Sequence, residues 1–325
     1  MSSYRDAYGR SLEYLRVSVT DRCNFRCPYC RPETGEIYDP PADHLNAAEI
    51  ARVVGISQQL GVRAVRFTGG EPLLRRDLPE VIAAVRDRGL TDLALTTNAW
   101  RLADRTEALW QAGLRRINVS LDALDPSTFR RLSGGLEIEP TLSGIEAAVQ
   151  QGFEVKTNTV VMGGENDRAL LDLATFAWDR GLTPRFIELM PIGAGALATR
   201  QRIDAEQIIQ TFDAVAESQS EARTYGRGPA SYWYHEGKKD QKFGVIGATT
   251  RNFCASCNRA RLTATGGLRP CLASNLGYEL RPLLRRDASD EELLEAILEG
   301  MGLKPEGHRF HDGRAGENAM RGIGG

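Results

Sequence analysis

Leu12-Glu13-Tyr14-Leu15-Arg16-Val17-Ser18-Val19, followed by Thr20-Asp21-Arg22 and then Cys23-Asn24-Phe25-Arg26-Cys27-Pro28-Tyr29-Cys30, decides how the chain is read. The first eight residues interleave apolar and β-branched side chains with polar ones, as a strand does. Directly after them come three thiols at C-x3-C-x2-C spacing. A zinc ion or a four-iron cluster held by protein alone takes four ligands, so three thiols leave one position open. On a cubane cluster that open iron is a place where a small molecule can bind and react. The competing reading is a structural zinc knuckle whose fourth ligand comes from elsewhere.

Beyond this strand, short β-rich runs alternate with helical patterns as far as residue 190, the signature of βα units around a parallel sheet. The predicted strands are residues 12–19, 64–68, 93–96, 117–121, 155–161 and 185–189. Asn46 and Glu49 suit a capping box, and the helix they open should stop at Gly61. Later helices should stop near Gly89, Gly113, Gly152 and Gly181, where glycine supplies a left-handed turn. Six units do not complete an eight-stranded barrel, so an incomplete, TIM-like (βα)6 barrel is expected, with a doubly wound open sheet as the alternative topology.

A helix over 203–215, strands over 231–234 and 242–246 and a helix over 291–301 would build a C-terminal α+β layer closing the open side. Residues 1–217 and 218–325 would then be the two domains, and the tail from 313 to 325 has the composition of a flexible segment.

In a βα barrel the reactive face lies at the C-terminal strand ends. Those positions carry the cysteine triplet, then Thr68-Gly69-Gly70-Glu71-Pro72, Thr96-Thr97-Asn98, then Asn118, Ser120 and Asp122, then Lys156 and Asn158, then Glu188 and Met190. Singly each is more simply a cap or turn residue; together they line one rim. With 42% hydrophobic and 26% charged residues and a net charge of −2, nothing global points to nucleic acid or an anionic membrane. No apolar run approaches bilayer length, so a cytoplasmic protein is expected. All six cysteines fall into two triplets, the second being Cys254, Cys257 and Cys271, and the spacings favour metal over disulfides.

The first triplet with Tyr29, followed some forty residues later by Gly69-Gly70-Glu71-Pro72, resembles the radical S-adenosylmethionine enzymes. The resemblance implies a [4Fe-4S] cluster on Cys23, Cys27 and Cys30. Its open iron would chelate S-adenosylmethionine, contacted by Tyr29, Gly69, Gly70, Glu71, Ser120 and Met190. The second triplet, C-x2-C-x13-C with Asn258, Arg259 and Arg261, resembles the GTP 3′,8-cyclase family of molybdenum cofactor biosynthesis, and the resemblance runs over essentially the whole chain.

It implies a second [4Fe-4S] cluster on Cys254, Cys257 and Cys271, and GTP contacts from Arg16, Arg66, Thr96, Lys156, Asn258, Arg259 and Arg261. Lys156 has support of its own. Among 36 arginines and five lysines it is the sole lysine before residue 238, which suggests a need for a compact ammonium. The resemblance further implies that the terminal Gly324 and Gly325 reach into the active site. It implies as partners an electron donor such as flavodoxin or ferredoxin, a downstream cyclic pyranopterin monophosphate synthase and a second copy of the chain. Ala99 follows Asn98 where relatives commonly carry glycine, so the turn there should differ. A peptide-modifying radical enzyme and a zinc-stabilised binding module or electron carrier are the alternatives; neither uses an arginine pair beside a second open triplet.

Overall fold

The computed structural model describes residues 4–31, 38–196, 201–212, 214–216, 228–235, 238–310, 320 and 322–323. Strand β1 (Tyr14–Ser18) ends at the first cysteine loop. Helix α1 (Ala47–Gln59) then leads to β2 (Ala64–Thr68), α2 (Leu78–Arg86) to β3 (Asp92–Thr97), and α3 (Thr106–Gln111) to β4 (Arg116–Ser120). Helices α4 (Pro126–Ser133) and α5 (Glu139–Gln151) precede β5 (Glu154–Val161), and α6 (Leu170–Trp178) precedes β6 (Thr183–Glu188). These six strands are parallel and adjacent in chain order. A doubly wound sheet reverses its order partway, so this winding is that of a barrel.

The remaining elements are α7 (Ala205–Gln210), β7 (Ala214–Ala216), β8 (Ser231–His235), β9 (Lys238–Ile246), β10 (Arg259–Leu262), β11 (Gly267–Arg269), β12 (Tyr278–Glu279), α8 (Arg281–Arg285) and α9 (Asp290–Gly302). The C-terminal layer closes the barrel's open side by growing from both of its edges. Strand β9 pairs in parallel with β6, and β10 pairs in parallel with β1. Each edge would otherwise present a row of unpaired backbone groups. Among the described residues the sheet order is β12-β11-β10-β1-β2-β3-β4-β5-β6-β9-β8-β7. No helix among them is long and apolar enough to cross a membrane.

The helix boundaries follow the sequence closely. Asn46 and Glu49 cap each other's backbone, and Gly61, Gly89, Gly113, Gly152 and Gly181 all have positive φ. Two expectations need correcting. The helix expected over 203–215 ends at Gln210, and 214–216 is a strand against β8. The cause is Phe212, buried with its ring 4.3 Å from Phe243 and 5.2 Å from Phe186, which draws the chain into the core. Helix α4 was not foreseen, although its signals are ordinary: Asp125 accepts from the Thr128 amide, Pro126 opens the first turn, and Gly134 ends the helix at φ 81°. The domain boundary expected at 217 falls outside the described residues.

The two-residue period of the strands sorts their side chains. Leu15, Val17, Val65, Phe67, Leu93, Leu95, Ile117 and Val119 join one core with Val53, Val54, Ile82, Val85, Leu109 and Ile145 of the helices. The alternate positions face the barrel interior: Arg16, Arg66, Thr96, Asn118, Ser120, Lys156 and Asn158, with Arg185 on β6. A closed barrel packs such positions with branched apolar residues; this open one lines a cavity with polar ones.

Candidate active site

The first cavity is lined by Cys23, Cys27, Tyr29, Cys30, Gly69, Gly70, Glu71, Ser120, Asp122 and Met190, so every residue assigned to the first cluster and S-adenosylmethionine reaches one space. Gly69 and Gly70 also serve the packing of two loops. A Cβ on Gly69 would stand 2.3 Å from the Thr20 carbonyl oxygen, and one on Gly70 would stand 2.3 Å from that of Arg22. Their bare side therefore faces the entry to the cysteine loop, and Gly70 and Glu71 donate their amides to Thr20 and Arg22 at 2.8 and 2.7 Å. The missing side chains let the β2 loop lie against the cysteine loop.

Glu71 is buried and its carboxylate is spent on the protein. It accepts from the Thr97 hydroxyl at 2.7 Å and from the amides of Asn98 and Leu73 at 2.8 and 3.0 Å, tying β2 to β3. Burial raises its pKa against those bonds. Tyr29 donates its hydroxyl to Asp122 at 2.7 Å, and burial pushes Asp122 up to about 6. Burial, with Glu71 next, raises Cys23 to about 12, and burial with Asp122 raises Cys27 well above its ordinary value. The first site is thus partly buried and acidic, a setting that favours a bound cation.

The second cavity is lined by Cys254, Cys257 and Cys271 together with Tyr14, Arg16, Arg66, Thr96, Arg185, Arg259 and Arg261. Across β10, β1 and β2, Arg261, Arg16 and Arg66 are direct register neighbours. Like charges set side by side destabilise a sheet. Burial, then Arg261 and Arg66, lowers Arg16 well below the usual guanidinium value; burial and Arg259 bring Arg261 down to about 10. Burial pushes the Cys257 thiol up, but Arg259 and Lys304 outweigh it and bring it down to about 7, while burial raises Cys271. This cationic surface suits a polyanion, and guanidinium forks match phosphate oxygens.

Thr96, Asn158, Ile187 and Met190 line both cavities, so the two spaces adjoin. At that junction Thr96 Oγ1 and Asn158 Oδ1 are buried without a hydrogen-bond partner. An orphaned buried acceptor is expensive unless a ligand satisfies it. A small apolar cluster of Ile192, Phe310 and Met320, with Cys30, Met190 and Leu272 against it, packs between the cysteine loops. The tail is therefore not free at its described residues. Met320 and Ile323 are buried, and the Ile323 carbonyl accepts from Arg261 at 3.2 Å. Gly324 and Gly325 lie outside the described residues.

Two assigned residues stand apart. Asn258 turns its amide to Glu13 at 3.2 Å and does not line the second cavity. Lys156 is ion-paired with Glu154 at 2.8 Å and lines a small adjoining cavity that shares Arg66 and Arg185 with the second one. Arg185 was not among the assigned residues, although a basic residue within β6, a strand predicted to line the barrel, was its signal; burial and Arg66 bring it down to about 10. Ala99, flagged for replacing a glycine, holds φ 60°, in the left-handed region.

The donor set suits iron–sulfur chemistry at the first site, with three thiols on one cavity and the acidic wall beside them. Residues 17–177 match the Radical SAM superfamily and residues 182–310 match Molybdenum Cofactor Synthesis C. The chain is 39% identical over 325 residues to the GTP 3′,8-cyclase of Pelotomaculum thermopropionicum, covering 99% of this chain and all of that one. It is 41% identical over 316 residues to that of Hydrogenovibrio crunogenus, covering 94% of each. Among solved structures, Streptococcus suis SuiB shares the fold at TM-score 0.61 and 14% identity, over 92% of this chain and 68% of that one. SuiB bound to S-adenosylmethionine superposes at TM-score 0.58 and 15% identity, over 81% of this chain and 60% of that one. The chain belongs to the radical SAM superfamily and, within it, to the GTP 3′,8-cyclase family.

Proposed function

We propose that the protein converts GTP to (8S)-3′,8-cyclo-7,8-dihydroguanosine 5′-triphosphate, the first step of molybdenum cofactor biosynthesis. The single observation that carries this reading is the adjoining pair of cavities, one acidic with three thiols, the other arginine-rich with three thiols. A [4Fe-4S] cluster held by Cys23, Cys27 and Cys30 would, with S-adenosylmethionine, supply a carbon radical able to take the C3′ hydrogen of the GTP ribose; joining C3′ to C8 would then need one electron from the external donor and one proton to complete the product.

The chain's own residues bind, orient and exclude. Asp122 offers a carboxylate to the sulfonium cation and Tyr29 keeps it in place, while Glu71 braces the cavity wall through its bonds to Thr97, Asn98 and Leu73. Arg16, Arg66, Arg259 and Arg261, with Arg185, hold the triphosphate, and Lys156 meets it from the adjoining cavity. Thr96 and Asn158 offer their unspent oxygens to ribose hydroxyls where the two ligands meet. Such positioning decides the outcome, because an unconfined radical takes whichever hydrogen is nearest.

Cys254, Cys257 and Cys271 would hold the second [4Fe-4S] cluster, which would bind the guanine in the cavity they line. Residues 1–217 would make the radical and supply part of the GTP site, and 218–325 would add the second cluster, Arg259 and Arg261. The hydrogen bond from Arg261 to the Ile323 carbonyl supports a tail that delivers the next two residues, Gly324 and Gly325, to the same cavity. A low-potential donor such as flavodoxin or ferredoxin, a cytoplasmic setting, a homodimer and hand-over to cyclic pyranopterin monophosphate synthase complete the proposal.

The test is anaerobic. Reconstituted protein given reductant and S-adenosylmethionine should form 5′-deoxyadenosine and the cyclised nucleotide in matching amounts only when GTP is present. Deoxyadenosine formation indifferent to GTP would defeat the reading. Removing Gly324 and Gly325 should abolish cyclisation without unfolding the protein, and full activity in the truncated chain would refute the tail's role.

A further inference from the structure

The two cysteine loops are held from behind by buried cations, but in different ways. At the first, Arg31, adjacent to Cys30 in the chain, donates to the carbonyls of Cys23 and Phe25 at 3.2 and 2.6 Å. At the second, the cation comes from far away in sequence. Lys304, just past α9 and only 6% exposed, donates Nζ to the carbonyls of Cys257 and Arg259 at 2.8 and 2.9 Å. Arg10, held by Asp6 at 2.6 Å, donates to the carbonyls of Cys254, Glu306 and Pro305 at 3.1, 2.8 and 2.7 Å. The segment that carries Lys304 is thereby locked to the N-terminal arm and to the loop at once.

Burying a lysine is expensive, and a neutral donor could satisfy two carbonyls at lower cost. Lys304 is also one of only five lysines in the chain, the same rarity that singles out Lys156. Its ammonium points at the two residues, Cys257 and Arg259, that join the thiol site to the arginine cavity.

The geometry points to Lys304 as a positioning residue of the second cysteine site: it fixes the Cys257–Arg259 segment through two carbonyls and places a buried positive charge behind the metal-binding face. This rests on the reading that the second triplet holds a cluster. Residues that orient metal ligands cost about ten- to a hundredfold in metal affinity when removed. A buried cation also favours the more negative, reduced state of a cluster and so raises its potential.

The experiment compares reconstituted wild type with Lys304→Met, Lys304→Arg and a variant lacking the second triplet's three thiols. Iron retained against a chelator and the midpoint potential of the second site are measured. Lys304→Met should lose the second site's iron at about ten- to a hundredfold lower chelator concentration, while the first site's iron stays. Its remaining second-site signal should titrate at a more negative potential, and Lys304→Arg should retain iron as wild type does. Unchanged retention and potential in Lys304→Met would overturn the proposal, as would equal loss from both sites or equal loss in Lys304→Arg. If wild type holds no more iron than the variant lacking the second thiols, the cluster reading itself fails and takes this role with it.

Discussion

At the first triplet, burial together with Glu71 and Asp122 pushes Cys23 up to about 12 and Cys27 higher than its ordinary range. At the second, Arg259 and Lys304 overcome burial and bring Cys257 down to about 7. The sites share a thiol count, yet their walls carry opposite charge. S-adenosylmethionine is a sulfonium cation and GTP a polyanion, so under the proposed function each would meet the wall of opposite charge. The carboxylates and guanidiniums around the thiols, and not the cysteines alone, distinguish the two sites.

The largest test of this contrast removes a thiol from either side. Cys27→Ala should abolish 5′-deoxyadenosine formation, a loss of at least about a thousandfold, because nothing else supplies the radical. Cys257→Ala should leave cofactor cleavage measurable but eliminate cyclised product. Equal losses of both activities in the two variants would erase the division of labour.

Next come the arginines. Hydrogen bonds to charged groups contribute ~1.5–3 kcal/mol, so Arg66→Gln should weaken GTP binding roughly ten- to a hundredfold by equilibrium dialysis. The same change relieves repulsion within the Arg261–Arg16–Arg66 row, so the GTP-free protein should melt no lower than wild type. A large loss of stability with unchanged GTP affinity would make Arg66 a structural residue.

A smaller effect is expected from Asp122. Its carboxyl, raised to about 6 by burial, is neutral below that pH and charged above it. Binding of the S-adenosylmethionine cation should therefore strengthen as pH rises from about 5 to 7, by about tenfold for one added charge at short range. Asp122→Asn should flatten that profile at the weaker level; a profile unchanged by the substitution would remove Asp122 from the cation's surroundings. Smallest is Ala99→Gly, which releases an alanine from φ 60° and should raise stability by about 0.5–1 kcal/mol, seen as a slightly higher Tm.

The barrel was legible because its signals are local. Period-two strands, a reciprocal cap at Asn46 and Glu49, and glycines at helix ends need no tertiary knowledge. The end of α7 was not legible, since it depends on Phe212 meeting Phe243 and Phe186 from distant segments. The site divides along the same line. Thiols and strand-end polar residues stand out in the sequence, whereas the place of Arg185 in the site follows from its register beside Asn158. Lys304 and Arg10 act across gaps of 47 and 244 residues, which no spacing rule spans. Asn258 shows the converse: a residue beside the right motif whose side chain turns to Glu13.

The central claim, that a radical made at the acidic site takes its hydrogen from a nucleotide held at the cationic one, is tested most directly with GTP deuterated at C3′. Deuterium should appear in the 5′-deoxyadenosine formed, and the label should be lost when Cys27 is replaced. Deoxyadenosine free of deuterium, formed while GTP is consumed, would contradict the account.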